Sequence, residues 1–288
     1  MNPCRKTMFR AAAAACLLAV GGVSASDPES SHGGDADPET HEADSGAFHL
    51  DVLRTWLFRS FLPDEDDDAN TLGLEFNSSW RWGNYDVLNI AYIEVADYPV
   101  PIPGYPPGNT DPEEDGVVVG DTGINDLLTA FLFSKSGSHH GPHHFGYGFS
   151  AQFPTGASDT LSSGKYSLGP AVEYEYHKGR FYAAFVALQL WSVAGDSDRK
   201  DVNMMMIKPM ITWDFSEKWK AVYMPYGISV YWDKPAGDRL YLPLGGGIQR
   251  QFNLGSRPSA VSLQAFKNVE RPKDGVEHDV RLMLEINF

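Results

Sequence analysis

The chain has 288 residues, 38 acidic against 23 basic, for a formal charge of −15; phosphate binding needs a basic surface, so nucleic acid is an unsuitable partner. Aromatic side chains make up 12% and glycines number 28, a composition that suits strands, tight turns and interfacial aromatic girdles. Mean hydropathy is −0.30, too low for a helix bundle in lipid but compatible with a β-barrel, where only alternate strand residues meet acyl chains.

The amino terminus reads as an export signal. Arg5, Lys6 and Arg10 precede an apolar stretch over residues 11–20, and Val23, Ser24 and Ala25 fit the small-residue cleavage pattern, so residues 1–25 are expected to be a cleaved signal peptide. The apolar run is too short to span a bilayer as a helix. Cys4 and Cys16 both lie in the removed segment, which leaves the mature chain no thiol for disulfides, metal sites or catalysis. Acylation at Cys16 is the rival reading; the usual leucine is missing from the preceding alanines and the apolar run continues past it. Residues 26–47 carry seven carboxylates and almost no large apolar side chain, so they are expected to form a disordered acidic periplasmic tail. His32 and His41 in that tail are read as solvated rather than as metal ligands.

Residues 48–288 are expected to form an all-β fold, a transmembrane outer-membrane β-barrel of about 12 antiparallel strands. The segments run over 48–60, 70–80, 85–97, 122–134, 144–154, 166–177, 180–193, 202–214, 218–232, 239–253, 258–268 and 277–288. The first is ambiguous, because Leu53, Trp56, Leu57, Ser60 and Phe61 also suit one face of a short helix. With both termini periplasmic, the connectors at 81–84, 178–179, 215–217 and 254–257 are short and those at 61–69, 98–121, 155–165, 194–201, 233–238 and 269–276 mostly longer, as in bacterial outer-membrane barrels. The connector at 135–143, with His139, His140 and His143, is a longer periplasmic exception.

Facing follows from period-two alternation. In the last segment Val280, Leu282, Leu284, Ile286 and Phe288 share the lipid row while Arg281, Glu285 and Asn287 share the lumen row, since arginine at mid-membrane costs roughly 2–4 kcal/mol. Over 144–154, Phe145, Tyr147, Phe149, Ala151 and Phe153 face out and His144, Gly146, Gly148, Ser150 and Gln152 face in; over 166–177, Leu168, Val172, Tyr174 and Tyr176 oppose Ser167, Gly169, Glu173 and Glu175. Placing Gln189 inward turns Phe181, Phe185 and Trp191 inward with it, and placing Lys208 and Asp214 inward turns Met204, Met206 and Met210. The candidate substrate-binding lumen residues are therefore Phe181, Phe185, Gln189, Trp191, Met204, Met206, Lys208, Gln249, Gln264, Arg281 and Glu285, an adaptable apolar wall with a few polar groups to orient a solute. The alternative is that these side chains merely fill and brace the barrel.

The prolines at 99, 101, 103, 106 and 107 make the long external loop stiff and suited to folding over the mouth as a lid. Acidic runs at 64–68 and 111–115 offer carboxylates to divalent cations shared with lipopolysaccharide, although neither has calcium-loop spacing, and solvated loops are the simpler reading. No nucleophile elbow, phosphate loop, zinc-protease or dinucleotide motif occurs, so neither a catalytic site nor a cofactor is expected. His144 and Ser150 share a face but lie roughly 20 Å apart along a strand. Asp159, Ser162 and Ser163 have no nearby histidine in sequence, and His177 and His278 have no convincing serine.

One run carries a family resemblance. Leu242, Pro243, Leu244, Gly245, Gly246, Gly247, Ile248, Gln249, Arg250, Gln251, Phe252, Asn253, Leu254 and Gly255, followed by residues 261–269 and Arg271 and Pro272, resemble the carboxy-terminal half of outer-membrane proteins of the MetA-pathway of phenol degradation family. Gly120 to Gly123, Phe153 to Gly156, Leu168 to Ala171 and Trp191 to Asp196 match in order, so the similarity covers roughly residues 59–288. The terminal Phe288 without a trailing proline and the acidic tail depart from the family pattern. The resemblance implies a channel or transporter for small, hydrophobic or aromatic solutes working by facilitated diffusion, and it carries no agreed functional residues. Expected partners are outer-membrane lipids and lipopolysaccharide, the barrel-assembly machinery through the carboxy-terminal strand, and a small-molecule solute. A structural or adhesive barrel without transport is the alternative, and a lipid-modifying barrel enzyme a more distant one.

Overall fold

The computed structural model describes residues 47–63, 68–104, 120–137 and 141–288. The signal peptide and nearly all of the acidic tail therefore lie outside the described residues, as do His139, His140 and most of both acidic runs. Fourteen strand segments follow one another without a helix among the described residues: β1 His49–Phe61, β2 Ala69–Trp82, β3 Tyr85–Tyr98, β4 Asp121–Ile124, β5 Leu127–Lys135, β6 His143–Phe153, β7 Lys165–Lys178, β8 Phe181–Gly195, β9 Asn203–Asp214, β10 Trp219–Tyr223, β11 Ile228–Tyr231, β12 Leu240–Leu254, β13 Arg257–Glu270 and β14 His278–Asn287. Each pairs antiparallel with its neighbours, and β1 closes on β14 from Val52 opposite Asn287 to Phe61 opposite His278.

The result is a closed barrel of 12 antiparallel staves, because β4 and β5 both lie along β3 while β10 and β11 both lie between β9 and β12. Closure pairs the first stave with the last and leaves the sheet no open margin between them, the condition for carrying sheet through hydrocarbon. The first segment, expected over 48–60, forms strand over His49–Phe61 rather than helix, since the β1 backbone is held from both sides. The sequence reading of 122–134 and 218–232 as unbroken strands needs correction. The first is interrupted at Asn125 and Asp126, the second at Met224 to Gly227.

Facing agrees with expectation along β6, β7 and β14. Phe145, Tyr147, Phe149, Leu168, Val280 and Leu282 are exposed on the outside, whereas Ser150, Gln152, Ser167, Glu173 and Arg281 are buried inside. Outward rings pack laterally, Phe131 on Phe149 at 5.1 Å and Trp80 on Phe131 at 6.3 Å, forming an aromatic belt on this side of the wall.

Candidate functional site: the barrel lumen

The lumen has two unlike halves. The half toward the short connectors holds a cavity of about 310 Å³, walled by Trp56, Leu88, Ile90, Tyr92, Leu128, Ala130, Ala184, Val186, Leu188 and Met210 with Asp51, Arg54, Asn77, Glu75, Glu173, Glu175, Tyr182 and Lys208 among them. A neighbouring space of about 480 Å³ is bordered by Lys218, Gln251, Ser259, Glu285 and Asn287. The half toward the long connectors is packed, and only about 10 Å³ is left between Gly104, Tyr226, Tyr231, Tyr241 and Arg281.

Three inward pieces of chain fill that outer half. The chain leaving β3 turns into the barrel, burying Ile102, and the Tyr231 and Tyr241 hydroxyls donate to the carbonyls of Gly104 at 3.2 Å and Pro103 at 2.7 Å. Tyr231 lies half-way round the barrel from β3, so residues 99–104 cross the mouth as a strap. Gly104 takes φ +82°, and a Cβ there would stand 2.4 Å from the Tyr231 hydroxyl, so both conformation and space call for glycine. The part of the proposed lid beyond residue 104 lies outside the described residues until Gly120.

The second piece is the break in the wall at Met224 to Gly227. Its Tyr226 ring meets Phe58 at 6.0 Å and Tyr92 at 5.9 Å, edge to face. Gln264 accepts from the Met224 amide at 3.1 Å and Arg281 reaches the Met224 carbonyl at 3.5 Å, which satisfies backbone groups that have left the ladder. The third piece is the connector after β6, which buries Leu161. Asp126, at the break between β4 and β5, ties it down by accepting from the Ser163 amide at 2.8 Å, the Ser163 hydroxyl at 2.6 Å and the Gly156 amide at 3.1 Å. Arg199 adds bonds to the Ser162 and Asp159 carbonyls at 3.0 and 3.2 Å.

Between the two halves stands a bar of charge. Lys208 on β9 reaches Glu75 on β2, half-way round the barrel, at 3.3 Å, and its ammonium lies 4.3 Å from the centre of the Tyr92 ring. Glu75 also accepts from Arg54 at 2.6 Å, and Arg54 donates onward to Glu285 at 2.7 Å. Each charge is thus paired, as a desolvated ion must be. Outside the spanning strands, the Asp201 carboxyl is held below its ordinary value by hydrogen bonds from Lys165 and Ser192, fastening the connector between β8 and β9.

The eleven candidate lumen residues divide. Met204, Met206, Lys208, Gln249, Gln264, Arg281 and Glu285 face inward. Among these Gln264 and Arg281 brace the inward chain, Arg281 being paired with Asp279 and set over Phe58 at 4.9 Å and Phe266 at 4.8 Å. Met204 and Met206 are fully enclosed. Phe181, Phe185, Gln189 and Trp191 face outward, correcting the sequence reading: Tyr174 on the lipid row of β7 sits opposite Phe185, with ring centres 5.8 Å apart, and Leu168 sits opposite Trp191. Gln189 misled because it is a polar residue on the outer row. Its amide is satisfied there by Asn203 at 3.1 Å and the Trp232 indole at 2.9 Å. The missed inward residues are Arg54, Trp56, Glu75, Tyr92 and Tyr182. A usable signal existed for Tyr182, because the tight turn at Gly179 and Arg180 locks β8 to the register of β7.

The side chains weighed for catalysis are otherwise engaged. The Ser150 hydroxyl donates to the Gln189 carbonyl at 3.0 Å and Ser163 to Asp126, while His144 lies 3.4 Å from Glu173. His177 meets the Gly179 carbonyl at 3.1 Å and His278 lies 3.8 Å from Glu277. Among the described residues, no group of three or more metal-ligating side chains is gathered.

No family model and no curated protein matches the sequence. Among solved structures, an outer-membrane channel from Pseudomonas putida aligns over 88% of this chain and 100% of its own with a TM-score of 0.51 at 13% identity. The translocator domain of the autotransporter NalP from Neisseria meningitidis aligns over 86% of this chain and 90% of its own, with a TM-score of 0.38 at 9% identity. At such identity the first likeness speaks to fold: this chain is a β-barrel of the outer-membrane type.

Proposed function

We propose that the protein is an outer-membrane channel or transporter for small, hydrophobic or aromatic solutes, working by facilitated diffusion after export through its signal peptide and insertion by the barrel-assembly machinery. One observation carries the reading: a cavity of about 310 Å³, lined by Trp56, Tyr92, Leu88, Ile90, Leu188 and Met210 together with a few ionised groups, lies inside a closed wall whose exterior is apolar. Small-molecule sites are built this way, with apolar walls for contact and sparse polar groups for orientation. The strap over residues 99–104 acts as the constriction, and its ties to Tyr231 and Tyr241 are the contacts a passing solute has to loosen.

The test is conductance and solute flux through purified mature protein in lipid bilayers, paired with growth on a panel of aromatic and aliphatic compounds with and without the chain. Steady single-channel conductance and growth dependent on an aromatic solute support the reading. Deleting residues 99–116 is expected to raise conductance several-fold, and unchanged permeation counts against the strap. The packed outer half favours one second reading, a structural barrel without transport, which the absence of both conductance and flux supports.

A further inference from the structure

The inner cavity has an unequal charge balance once its ion pairs are traced. Its ionisable lining is Asp51, Arg54, Glu75, Glu173, Glu175 and Lys208. Both cations are spent: Arg54 spans Glu75 and Glu285, and Lys208 is shared between Glu75 and the face of Tyr92. Lys220, further round the wall, is paired with Asp214 at 3.4 Å. Asp51 accepts from the Ser79 hydroxyl at 3.0 Å, Glu173 faces His144, and Glu175 accepts from the Tyr182 hydroxyl. Glu173 and Glu175 share the inward row of β7, one pleat repeat apart.

We propose that this cavity is a binding site for small organic cations, amines with an aromatic or aliphatic body, and that Glu175 together with Glu173 sets the preference. It deepens the channel reading and rests on it for its physiological meaning. A carboxylate solute entering the cavity meets a surplus of carboxylates and has to displace Glu75 to reach Arg54 or Lys208. An ammonium competes with weaker partners, the His144 ring at Glu173 and the Tyr182 hydroxyl at Glu175. Its head lies against Glu173, Glu175 and the Tyr182 hydroxyl, and its body against Leu88, Ile90, Leu188 and Met210. The volume suits a single-ring amine. Charge discrimination here is local, since low-dielectric walls focus the field of the β7 carboxylates on a space one solute wide.

Calorimetric titration of the detergent-solubilised mature protein with phenethylammonium and with phenylpropionate, matched in size and opposite in charge, tests the site without requiring conduction. Wild type is expected to bind the ammonium at least tenfold more tightly than the carboxylate, Glu175→Gln to lose about tenfold of that affinity, and Glu175→Lys to reverse the order. Heat-modifiable migration on gels certifies each variant as a folded barrel, and Tyr182→Phe, which keeps both carboxylates, supplies a milder variant retaining most of the preference. Equal affinity for the two probes, or a Glu175→Gln protein that binds like wild type, overturns the assignment. Reversal potentials under a salt gradient separate the two claims. Ammonium binding without any conductance leaves the site standing and removes the channel, whereas conductance with no charge preference and no binding does the reverse.

Discussion

Gly104 shows how much one residue can decide. With its left-handed φ and with Tyr231 and Tyr241 packed against it, a methyl group has neither conformation nor room, so Gly104→Ala is expected to push the strap off its two tyrosine hydroxyls and raise single-channel conductance two-fold or more in bilayers. Lys208 is the second such position. Lys208→Met removes one of two cations from Glu75, a charge-assisted bond worth about 1.5–3 kcal/mol, and the variant should unfold at lower urea in vesicles while conducting more, because the span from β9 to β2 is gone. Side-chain facing was readable wherever one row is polar, as along Ser167, Glu173 and Glu175. Alternation alone did not give it along β8, where Tyr182, Ala184, Val186 and Leu188 inside and Phe185, Ala187 and Trp191 outside are equally apolar, and only the turn at Gly179 and Arg180 carried the facing over from β7. With the two rows alike, a single glutamine misdirected the assignment.

At the scale of elements, alternation and turn chemistry locate nearly every stave to within a few residues, because a strand pleat and a tight turn are local properties of the chain. The two interrupted staves are different. Asn125 and Asp126 leave the ladder to serve contacts with Glu94, Tyr98, Gln152 and Ser163, and Met224 to Gly227 leave it to reach Gln264 and Arg281. Those partners are distant in sequence, so no window of residues reveals them. The same limit hid the Lys208 to Glu75 contact. The connector between β8 and β9 allows a direct check: Asp201 owes its lowered pKa first to Lys165, so in Lys165→Met its titration midpoint, followed by NMR, should return toward the ordinary carboxylate value. Because the folded value is depressed, this tie is present above the ordinary carboxylate range and is lost as pH falls through the lowered value.

For the whole molecule, an apolar exterior and a charged, aromatic interior invert the usual arrangement of a soluble domain, and composition with alternation sufficed to anticipate that inversion. Leu282 lies on the exterior row of β14; Leu282→Arg is expected to cost about 2–4 kcal/mol if it sits at the bilayer midplane, less toward the interfaces, measured by urea unfolding in vesicles. Arg281, one residue away, already carries that guanidinium at no such cost because it points the other way, against Asp279 and the Phe58 and Phe266 rings.

The seam between β1 and β14 joins the beginning of the folded chain to its end. Until the last residues have been synthesised and delivered, both β1 and the growing final hairpin present unpaired backbone, a template for misassociation. A polypeptide truncated before His278 can never satisfy either margin, so a nonsense change at His278 should be as damaging as one in the middle of the barrel. Before insertion, those margins have to stay masked until they meet.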